Sequence, residues 1–255
     1  MSELVSQTVE PRAQRAVGLR CLAIVPAYNE ELSVGGVVRE IAAVERDFEI
    51  VVIDDGSADG TALAAQAAGA TVIKLPFNLG IGGAVQTGYQ FARDRGFDLA
   101  VQVDGDGQHD PGEIGRLIEP LLDGRADLVV GTRFAEGGGY RGTPARRLGI
   151  RFFAAVVSML MRQRVTDTTS GFRAANKDAI RLFATDYPHD YPEVEATVLL
   201  SRSGLKMVEV PVVMRIRESG SSSITTLRAG YYMIKVVLAL FIGLFRRYSS
   251  PLEEP

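Results

Sequence analysis

Two carboxylates separated by one glycine are the clearest sign of chemistry in the sequence. Asp104 and Asp106 follow an apolar run, Leu99 to Val103, which is typical of a short buried strand. Gly105 and Gly107 allow the backbone to bend sharply, so both carboxylates can approach one point. Hard oxygen ligands of this kind suit Mg²⁺ or Mn²⁺, especially where a phosphate completes the coordination.

This motif alone also fits two other structures, an ordinary polar turn and the start of a Ca²⁺ loop. An EF-hand loop requires a glutamate at its twelfth position, but counting from Asp104 that position is Gly115. The pattern therefore argues against an EF-hand. A metal–phosphate site and a simple turn both remain open on these residues alone.

The composition describes an ordinary globular protein of 255 residues, long enough to bury a sizeable core. The net charge of −3 provides no basic field for nucleic acid, so no nucleic acid partner is predicted. Cys21 is the single cysteine, which excludes an intrachain disulfide. Residues 1–18 are polar and are predicted to form a disordered tail rather than a signal peptide or a spanning helix. We therefore expect a reducing compartment, on the cytoplasmic side.

Strand and helix patterns alternate with short connections through the first half of the chain. Buried strands are predicted at 21–25, 48–53, 71–75, 99–103 and 127–130. Helical periodicity is predicted at 31–46, 61–68, after Gly83 to residue 92, and from Pro111 to residue 122. This alternation predicts an α/β protein with a parallel sheet.

Polar residues follow the predicted strands at their carboxyl ends, where open α/β sheets bind ligands. They are Tyr28-Asn29-Glu30, Asp54-Asp55, Asp104-Gly105-Asp106 and Arg133. Because polar residues recur at the ends of successive strands, the metal–phosphate interpretation is favoured over an isolated turn. Gly80 to Gly83 could form a tight turn with close helix packing, or offer backbone N–H groups to a phosphate.

Other nucleotide-binding patterns do not match. The position after the first strand, where G-x-G-x-x-G would bind a dinucleotide, holds Pro26-Ala27-Tyr28-Asn29-Glu30, and no Walker A loop is present. A nucleotidyltransferase would need a glycine-rich Gly-Thr-Arg loop at the first strand. Here Gly131-Thr132-Arg133 follows the fifth strand instead.

Several motifs resemble those of the family-2 glycosyltransferases. They are Val25 to Glu31, Val52 to Thr61 and Asp104 to His109. The resemblance covers roughly residues 20 to 225 and implies a GT-A fold, an open, mainly parallel sheet flanked by helices. It divides the chain into a tail at 1–18, a glycosyltransferase domain at 19–225, and a C-terminal apolar helix with its tail at 226–255.

The similarity extends to the polyprenyl-phosphate, dolichyl-phosphate-mannose-synthase-like branch of this family. Thr168 to Arg173 and Arg217 to Ser222 carry this part of the resemblance, although the branch usually has a lysine where this chain has Ser223. It implies an inverting transfer of sugar from a nucleotide-sugar, with UDP or GDP as carrier, to a polyprenyl phosphate. Two alternatives remain: a sugar hydroxyl as acceptor, as in cell-wall, polysaccharide or rhamnosyl transfer, and a non-catalytic nucleotide-sugar-binding protein.

The resemblance also implies residues for the donor and the metal. Asp54 or Asp55 would accept a hydrogen bond from the base, although an Asp here can also simply form a turn. Mg²⁺ or Mn²⁺ would be bound by Asp104, Asp106 and Gln108, and His109 is expected to pack the loop rather than to coordinate. The full implied donor site is Pro26, Ala27, Tyr28, Glu30, Asp54, Asp55, Asn78, Gly80, Gly83, Asp104, Gly105, Asp106 and Arg133.

The implied acceptor site is formed by Arg146, Arg147, Ser170, Arg217 and Ser222. Arg146 and Arg147 could equally lie on a solvated helix face. A lipid phosphate is already anionic and needs little more than positioning, whereas a sugar hydroxyl needs a general base. Asp167 is a candidate for that base or for orienting the acceptor, with a structural turn as the alternative. Asp106, Asp167 and Arg217 are the predicted catalytic residues.

Two apolar stretches, 148–161 and 229–245, carry arginines at their ends. The uninterrupted part of the second is residues 236–245, shorter than the about twenty residues that a spanning helix needs. We expect these stretches to lie at a membrane surface or against a protein partner. The alternative is packing on the enzyme's own core or on a second copy of the chain. Members of the branch often act with a small membrane protein. The expected location is cytoplasmic, peripheral at the inner face of the cell membrane.

Overall fold

The computed structural model describes residues 18–132, 158, 166–167, 170–189 and 191–215. Its strands are β1 (Cys21–Ala27), β2 (Phe48–Asp54), β3 (Thr71–Lys74), β4 (Leu99–Gln102), β5 (Leu128–Thr132), β6 (Arg173–Asn176) and β7 (Met207–Pro211). Its helices are α1 (Val34–Val44), α2 (Thr61–Ala67), α3 (Gly80–Asp94), α4 (Ile114–Leu122), α5 (Lys177–Thr185) and α6 (Pro192–Arg202), with a 3-10 turn at Pro111–Glu113.

The strands form one sheet in the order β3-β2-β1-β4-β6-β5-β7. All neighbouring pairs are parallel except those that β6 makes with β4 and β5. The predicted α/β fold with a mainly parallel sheet is confirmed. The five predicted strands are present with small shifts at their ends, whereas β6, with its sequence Arg-Ala-Ala-Asn, lacks the β-branched pattern that identifies a strand.

The sheet is covered by helices on both faces, which explains why β1 is buried throughout. Alternate residues of β1 enter two separate cores. Leu22 and Ile24 belong to the core that includes residues of α3, α5 and α6. Ala23 and Val25 belong to the core that includes residues of α1 and α4.

Strand register brings the loops after β1, β2 and β4 together at one edge of the sheet. Ala27, the last residue of β1, pairs with Asp54, the last residue of β2. Beyond the strands, the Asp55 N–H donates to the Ala27 carbonyl at 2.9 Å, and the Gly105 N–H donates to the Pro26 carbonyl at 3.1 Å. The first residues of these loops are therefore held by continuing backbone hydrogen bonds.

Several predictions concern segments outside the described residues. They are the tail up to residue 17, nearly all of the apolar stretch at 148–161, and the C-terminal helix at 226–255. Within the part of the chain that is described, no helix combines the length and the hydrophobicity needed to cross a bilayer.

Candidate active site

A cavity of about 260 Å³ opens at the carboxyl edge of the sheet. Its lining residues are Pro26, Ala27, Tyr28, Glu30, Asp55, Asn78, Gly80, Ile81, Ala84, Asp104, Gly105 and Asp106. The predicted donor-site residues are thus gathered around one space, apart from Asp54, Gly83 and Arg133. Arg133 lies outside the described residues. The sequence analysis did not predict Ile81 and Ala84, which lie in the first turns of α3. Their apolar character is the only feature of the sequence that could have indicated them.

The loop after β1 is held in place by the loop after β2. Asn29 has a left-handed backbone conformation, with φ of 55°. Its N–H donates to the Ser57 hydroxyl at 2.9 Å, and its side-chain oxygen accepts from the Ala58 N–H at 2.9 Å. The Glu30 N–H donates to the Thr61 hydroxyl at 2.8 Å. These bonds fix the backbone that presents Tyr28 and Glu30 to the cavity.

The neighbouring residues Asp54 and Asp55 have different roles. Asp54 is fully buried, accepts a hydrogen bond from the Ser57 N–H at 3.0 Å, and does not line the cavity. Asp55 lines the cavity and accepts hydrogen bonds from the N–H groups of Leu79 and Gly80, at 2.7 and 2.9 Å. Of the two candidates for contact with the base, Asp55 is therefore the one that faces the cavity.

Asp55 provides a test of this geometry through the pH dependence of stability. Burial raises the pKa of its carboxyl above the ordinary value of 3.8, although the two backbone hydrogen bonds act in the opposite direction. The folded chain binds this proton more tightly than the unfolded chain. Asp55 therefore contributes stability below the unfolded pKa, and that contribution is lost as the pH rises through the folded pKa.

We accordingly expect the free energy of unfolding of the wild type to fall, relative to Asp55→Asn, as the pH rises from about 4 toward neutrality. Urea unfolding of both proteins over this range measures the difference. Parallel stability curves for the two proteins would contradict the expectation.

The glycines at the start of α3 serve close packing. A Cβ atom on Gly82 would lie 2.5 Å from the Pro188 carbonyl oxygen, and one on Gly83 would lie 2.5 Å from Leu79 Cβ. Gly80 has φ of 80°, a conformation that favours glycine. The N–H groups of Leu79 and Gly80 already donate to Asp55. The start of α3 therefore fits the interpretation of Gly80 to Gly83 as a tight turn with close helix packing.

Of the three metal ligands predicted in the loop after β4, Asp104 and Asp106 line the cavity and Gln108 does not. Asp106 accepts hydrogen bonds from the Gln108 backbone N–H at 3.0 Å and from the Gln108 side-chain amide at 2.7 Å. His109 is buried, accepts a hydrogen bond from the Asp104 N–H at Nδ1, and stacks on Phe172 with ring centroids 4.7 Å apart. The expectation that His109 packs the loop is confirmed.

The donor set fits a divalent cation bound jointly by protein and ligand. Asp104 and Asp106 supply carboxylate oxygens to one cavity, and Gln108 contacts Asp106. Among the described residues, no group of three or more His, Cys, Asp and Glu side chains converges on one point. Mg²⁺ or Mn²⁺ at this edge would need oxygen ligands in addition to these two carboxylates.

Two of the predicted acceptor residues, Asp167 and Ser170, are buried in the segment that precedes β6. Glu209 of β7 holds the start of this segment. Its carboxylate accepts hydrogen bonds from the Thr166 N–H at 2.8 and 2.9 Å, the Thr166 hydroxyl at 2.7 Å and the Asp167 N–H at 3.0 Å. Sequence reasoning missed Glu209, whose one signal is a charge within the apolar run from Val208 to Val213.

A buried arginine supports the same segment. Arg173 is 1 % exposed, and its Nε donates to the Ser170 carbonyl at 2.8 Å. Its Nη2 donates to the Glu193 carbonyl. Burial raises the pKa of the Glu193 carboxyl, while the charge of Arg173 acts in the opposite direction. The other predicted acceptor residues, Arg146, Arg147, Arg217 and Ser222, lie outside the described residues.

Comparisons with known proteins agree with this fold. The profile of Glycosyl transferase family 2 matches residues 22–183. The polyprenol monophosphomannose synthase of Mycolicibacterium smegmatis is 33 % identical over 227 residues, which are 85 % of each chain. The undecaprenyl-phosphate mannosyltransferase of Micrococcus luteus is 32 % identical over 216 residues, covering 81 % of this chain and 88 % of that protein.

Among solved structures, glucosyl-3-phosphoglycerate synthase from Mycobacterium tuberculosis, in complex with Mn²⁺, UDP and glucosyl-3-phosphoglycerate, has a TM-score of 0.70. It is 22 % identical, and the alignment covers 93 % of this chain and 84 % of that one. This likeness shows the fold. With the profile match and the two relatives, it follows that the chain belongs to glycosyl transferase family 2 and is a glycosyltransferase.

Proposed function

We propose that this glycosyltransferase moves a sugar from a nucleotide-sugar to a polyprenyl phosphate and depends on Mg²⁺ or Mn²⁺. The observation that carries the proposal is the convergence of Asp104 and Asp106 with Tyr28, Glu30 and Asp55 on one cavity. The names of the two similar proteins, a polyprenol monophosphomannose synthase and an undecaprenyl-phosphate mannosyltransferase, support the choice of acceptor.

The donor is held by residues from three loops. Tyr28 and Glu30 would contact the nucleoside, Asp55 lines the same space, and Asp104 and Asp106 would hold the cation. When bound, the cation supplies positive charge that stabilises the departing nucleoside diphosphate. The carboxylates thus serve to place that charge beside the bond that breaks.

The acceptor approaches from the side of Asp167 and Ser170. A phosphate oxygen attacks the anomeric carbon, the bond to the nucleoside diphosphate breaks, and the electron pair leaves with the diphosphate. Because the acceptor is already an anion, no proton has to be removed and positioning suffices. A direct displacement of this kind inverts the anomeric centre.

Transfer assays with defined acceptors test the proposal. Nucleotide-sugars of UDP and GDP are first screened with Mn²⁺ for thermal stabilisation of the full chain, because a ligand that binds the folded state raises its stability. The donors that bind are then incubated with undecaprenyl phosphate or dolichyl phosphate. We expect a glycolipid whose formation requires the divalent cation. Transfer to sugar hydroxyls instead, or donor binding without transfer, would overturn the proposal.

The apolar stretches at 148–161 and 229–245 lead to a prediction about location. We propose that the protein is peripheral at the inner face of the membrane, since its acceptor keeps its tail in the bilayer. Each terminal arginine contributes about 1 kcal/mol at an anionic surface. Deletion of the chain after Thr226 should reduce binding to anionic vesicles and transfer to long-chain acceptors, and should leave nucleotide-sugar binding nearly unchanged.

Flotation with vesicles and isothermal titration with the donor measure the two properties of the truncated protein separately. Unchanged vesicle binding and unchanged transfer would show that the C-terminal stretch has another role. That outcome would favour packing against a homodimer partner or against the small membrane protein expected from the branch.

A further inference from the structure

The Asp104 side chain lies among Gln102, Gly171 and His109, whose Nε2 is 3.7 Å from Asp104 Oδ2. Gln102 Nε2 donates a hydrogen bond to Oδ1 of Asp104 at 3.0 Å. The Asp104 N–H donates to His109 Nδ1 at 3.0 Å, which fixes the backbone of the same residue. Gly171 faces the carboxylate, because a Cβ atom placed on it would lie 3.2 Å from Asp104 Oδ2. The carboxylate nevertheless remains open to the cavity, since its side chain is 34 % exposed.

Gln102 is an unusual residue for its position. It is the last residue of β4, is 2 % exposed, and follows three buried apolar residues of the same strand. A buried side-chain amide is costly unless it is hydrogen-bonded, and an apolar residue would satisfy the packing without that cost. The side-chain amide of Gln102 donates to Asp104, so the buried amide serves to hold that carboxylate.

Gly171 provides the space that this hydrogen bond needs. A Cβ atom on Gly171 would lie 2.9 Å from Gln102 Nε2, closer than real Cβ contacts. Gly171 is brought there by β6, in which Arg173 pairs with Gln102 across the antiparallel ladder. The Arg173 side chain donates to the Ser170 carbonyl at 2.8 Å and so fixes the turn that contains the glycine.

We propose that Gln102 is a positioning residue, which orients the Asp104 carboxylate toward the cavity for metal binding. Gly171 lacks a side chain and so leaves room for the hydrogen bond between Gln102 and Asp104. The amide carries no charge, so it can orient the carboxylate without itself placing a positive charge beside it. This inference rests on the proposed metal-dependent function, because it assigns a role to residues that support the same site.

Replacing Gln102 by methionine tests the orienting role. The Gln102→Met side chain has nearly the same length but cannot donate a hydrogen bond. Hydrogen bonds that orient metal ligands typically contribute a factor of 10–100 to metal affinity. We therefore expect the dissociation constant for Mn²⁺, measured from the signal of free Mn²⁺ by electron paramagnetic resonance, to rise about tenfold or more. The measurement is made with Mn²⁺ alone and with Mn²⁺ plus UDP or GDP.

Gly171→Ala tests the same contact from the opposite side. The new methyl group would lie 2.9 Å from Gln102 Nε2 and 3.2 Å from Asp104 Oδ2, so it crowds both partners of the contact and should weaken Mn²⁺ binding. If both variants act through one hydrogen bond, the double variant should bind Mn²⁺ about as well as the weaker single variant. Full additivity of the two losses would overturn the assignment of a shared contact.

Matched controls separate this role from general effects. Gln90→Met makes the same chemical change in an exposed residue of α3, whose amide donates to the Ala184 carbonyl at 3.4 Å. Gly36→Ala adds a methyl group in α1, where no atom lies within 4 Å of the new Cβ. Both controls should bind Mn²⁺ like the wild type. A folded Gln102→Met protein with unchanged Mn²⁺ affinity would overturn the inference, whereas a wild type that binds no Mn²⁺ would instead refute the proposed function.

Discussion

Substitution of Asp106 by asparagine is expected to abolish sugar transfer while leaving the protein folded. Asparagine keeps the size of the side chain and an oxygen that can accept from the Gln108 N–H, which now donates to Asp106 at 3.0 Å. The change removes an anionic oxygen from the cavity, where a phosphate-bridging cation needs negative ligands. We expect kcat to fall on the order of a thousandfold or more, about 4 kcal/mol at 1.36 kcal/mol per factor of ten.

The measurement compares kcat of wild type and Asp106→Asn with saturating donor and Mn²⁺, together with wild type in excess EDTA. Asp110→Asn is the matched control, because Asp110 lies in the same loop but does not line the cavity. Its carboxylate accepts from the Gly112 N–H and pairs with Arg215 at 3.0 Å. Undiminished transfer by folded Asp106→Asn, or by wild type in EDTA, would refute the metal role.

Replacement of Glu209 by leucine is expected to affect both stability and acceptor use. The carboxylate accepts bonds from two N–H groups and a hydroxyl of Thr166 and Asp167, and all three donors lose their partner together. Loss of hydrogen bonds to a charged group should lower the free energy of unfolding by about 2–4 kcal/mol. The released segment contains Asp167, so the KM for the lipid phosphate should rise about tenfold or more while donor binding is retained.

Urea unfolding and steady-state kinetics with each substrate varied separately measure these effects. Glu209→Gln retains one acceptor oxygen and should lie between wild type and Glu209→Leu. Glu49→Leu serves as the control, because Glu49 is an exposed strand glutamate paired with Arg20 far from the cavity. Equal losses of donor and acceptor affinity in Glu209→Leu would mean that Glu209 supports the whole domain rather than the acceptor segment.

The amino-acid sequence by itself determined the parallel half of the fold and the edge at which the site forms. Runs such as Cys21 to Val25 and Leu99 to Val103 predict buried strands, and the polar residues that follow them predict the cavity edge. This works because parallel strands are buried on both faces and their carboxyl ends must meet at one edge. The sequence alone therefore predicts that Tyr28, Glu30, Asp104 and Asp106 belong to one site.

Local sequence could not decide between neighbouring residues of the same type. Asp54 and Asp55 are chemically identical and both are buried, yet only Asp55 lines the cavity, where its carboxylate accepts hydrogen bonds from the start of α3. α3 is positioned by its packing against β1 and α5, and this position brings the N–H groups that donate hydrogen bonds to Asp55. This distinction depends on contacts between residues 24 and 25 positions apart.

Only the tertiary structure revealed the residues that support the site from a distance. β6 is short and lacks a β-branched pattern, but its antiparallel insertion between β4 and β5 places Arg173 opposite Gln102 and Gly171 against Asp104. Glu209 reaches Thr166 across 43 positions of sequence. Periodicity and short motifs report which face of an element is apolar, whereas side-chain contacts between distant elements arise only when the whole sheet is assembled.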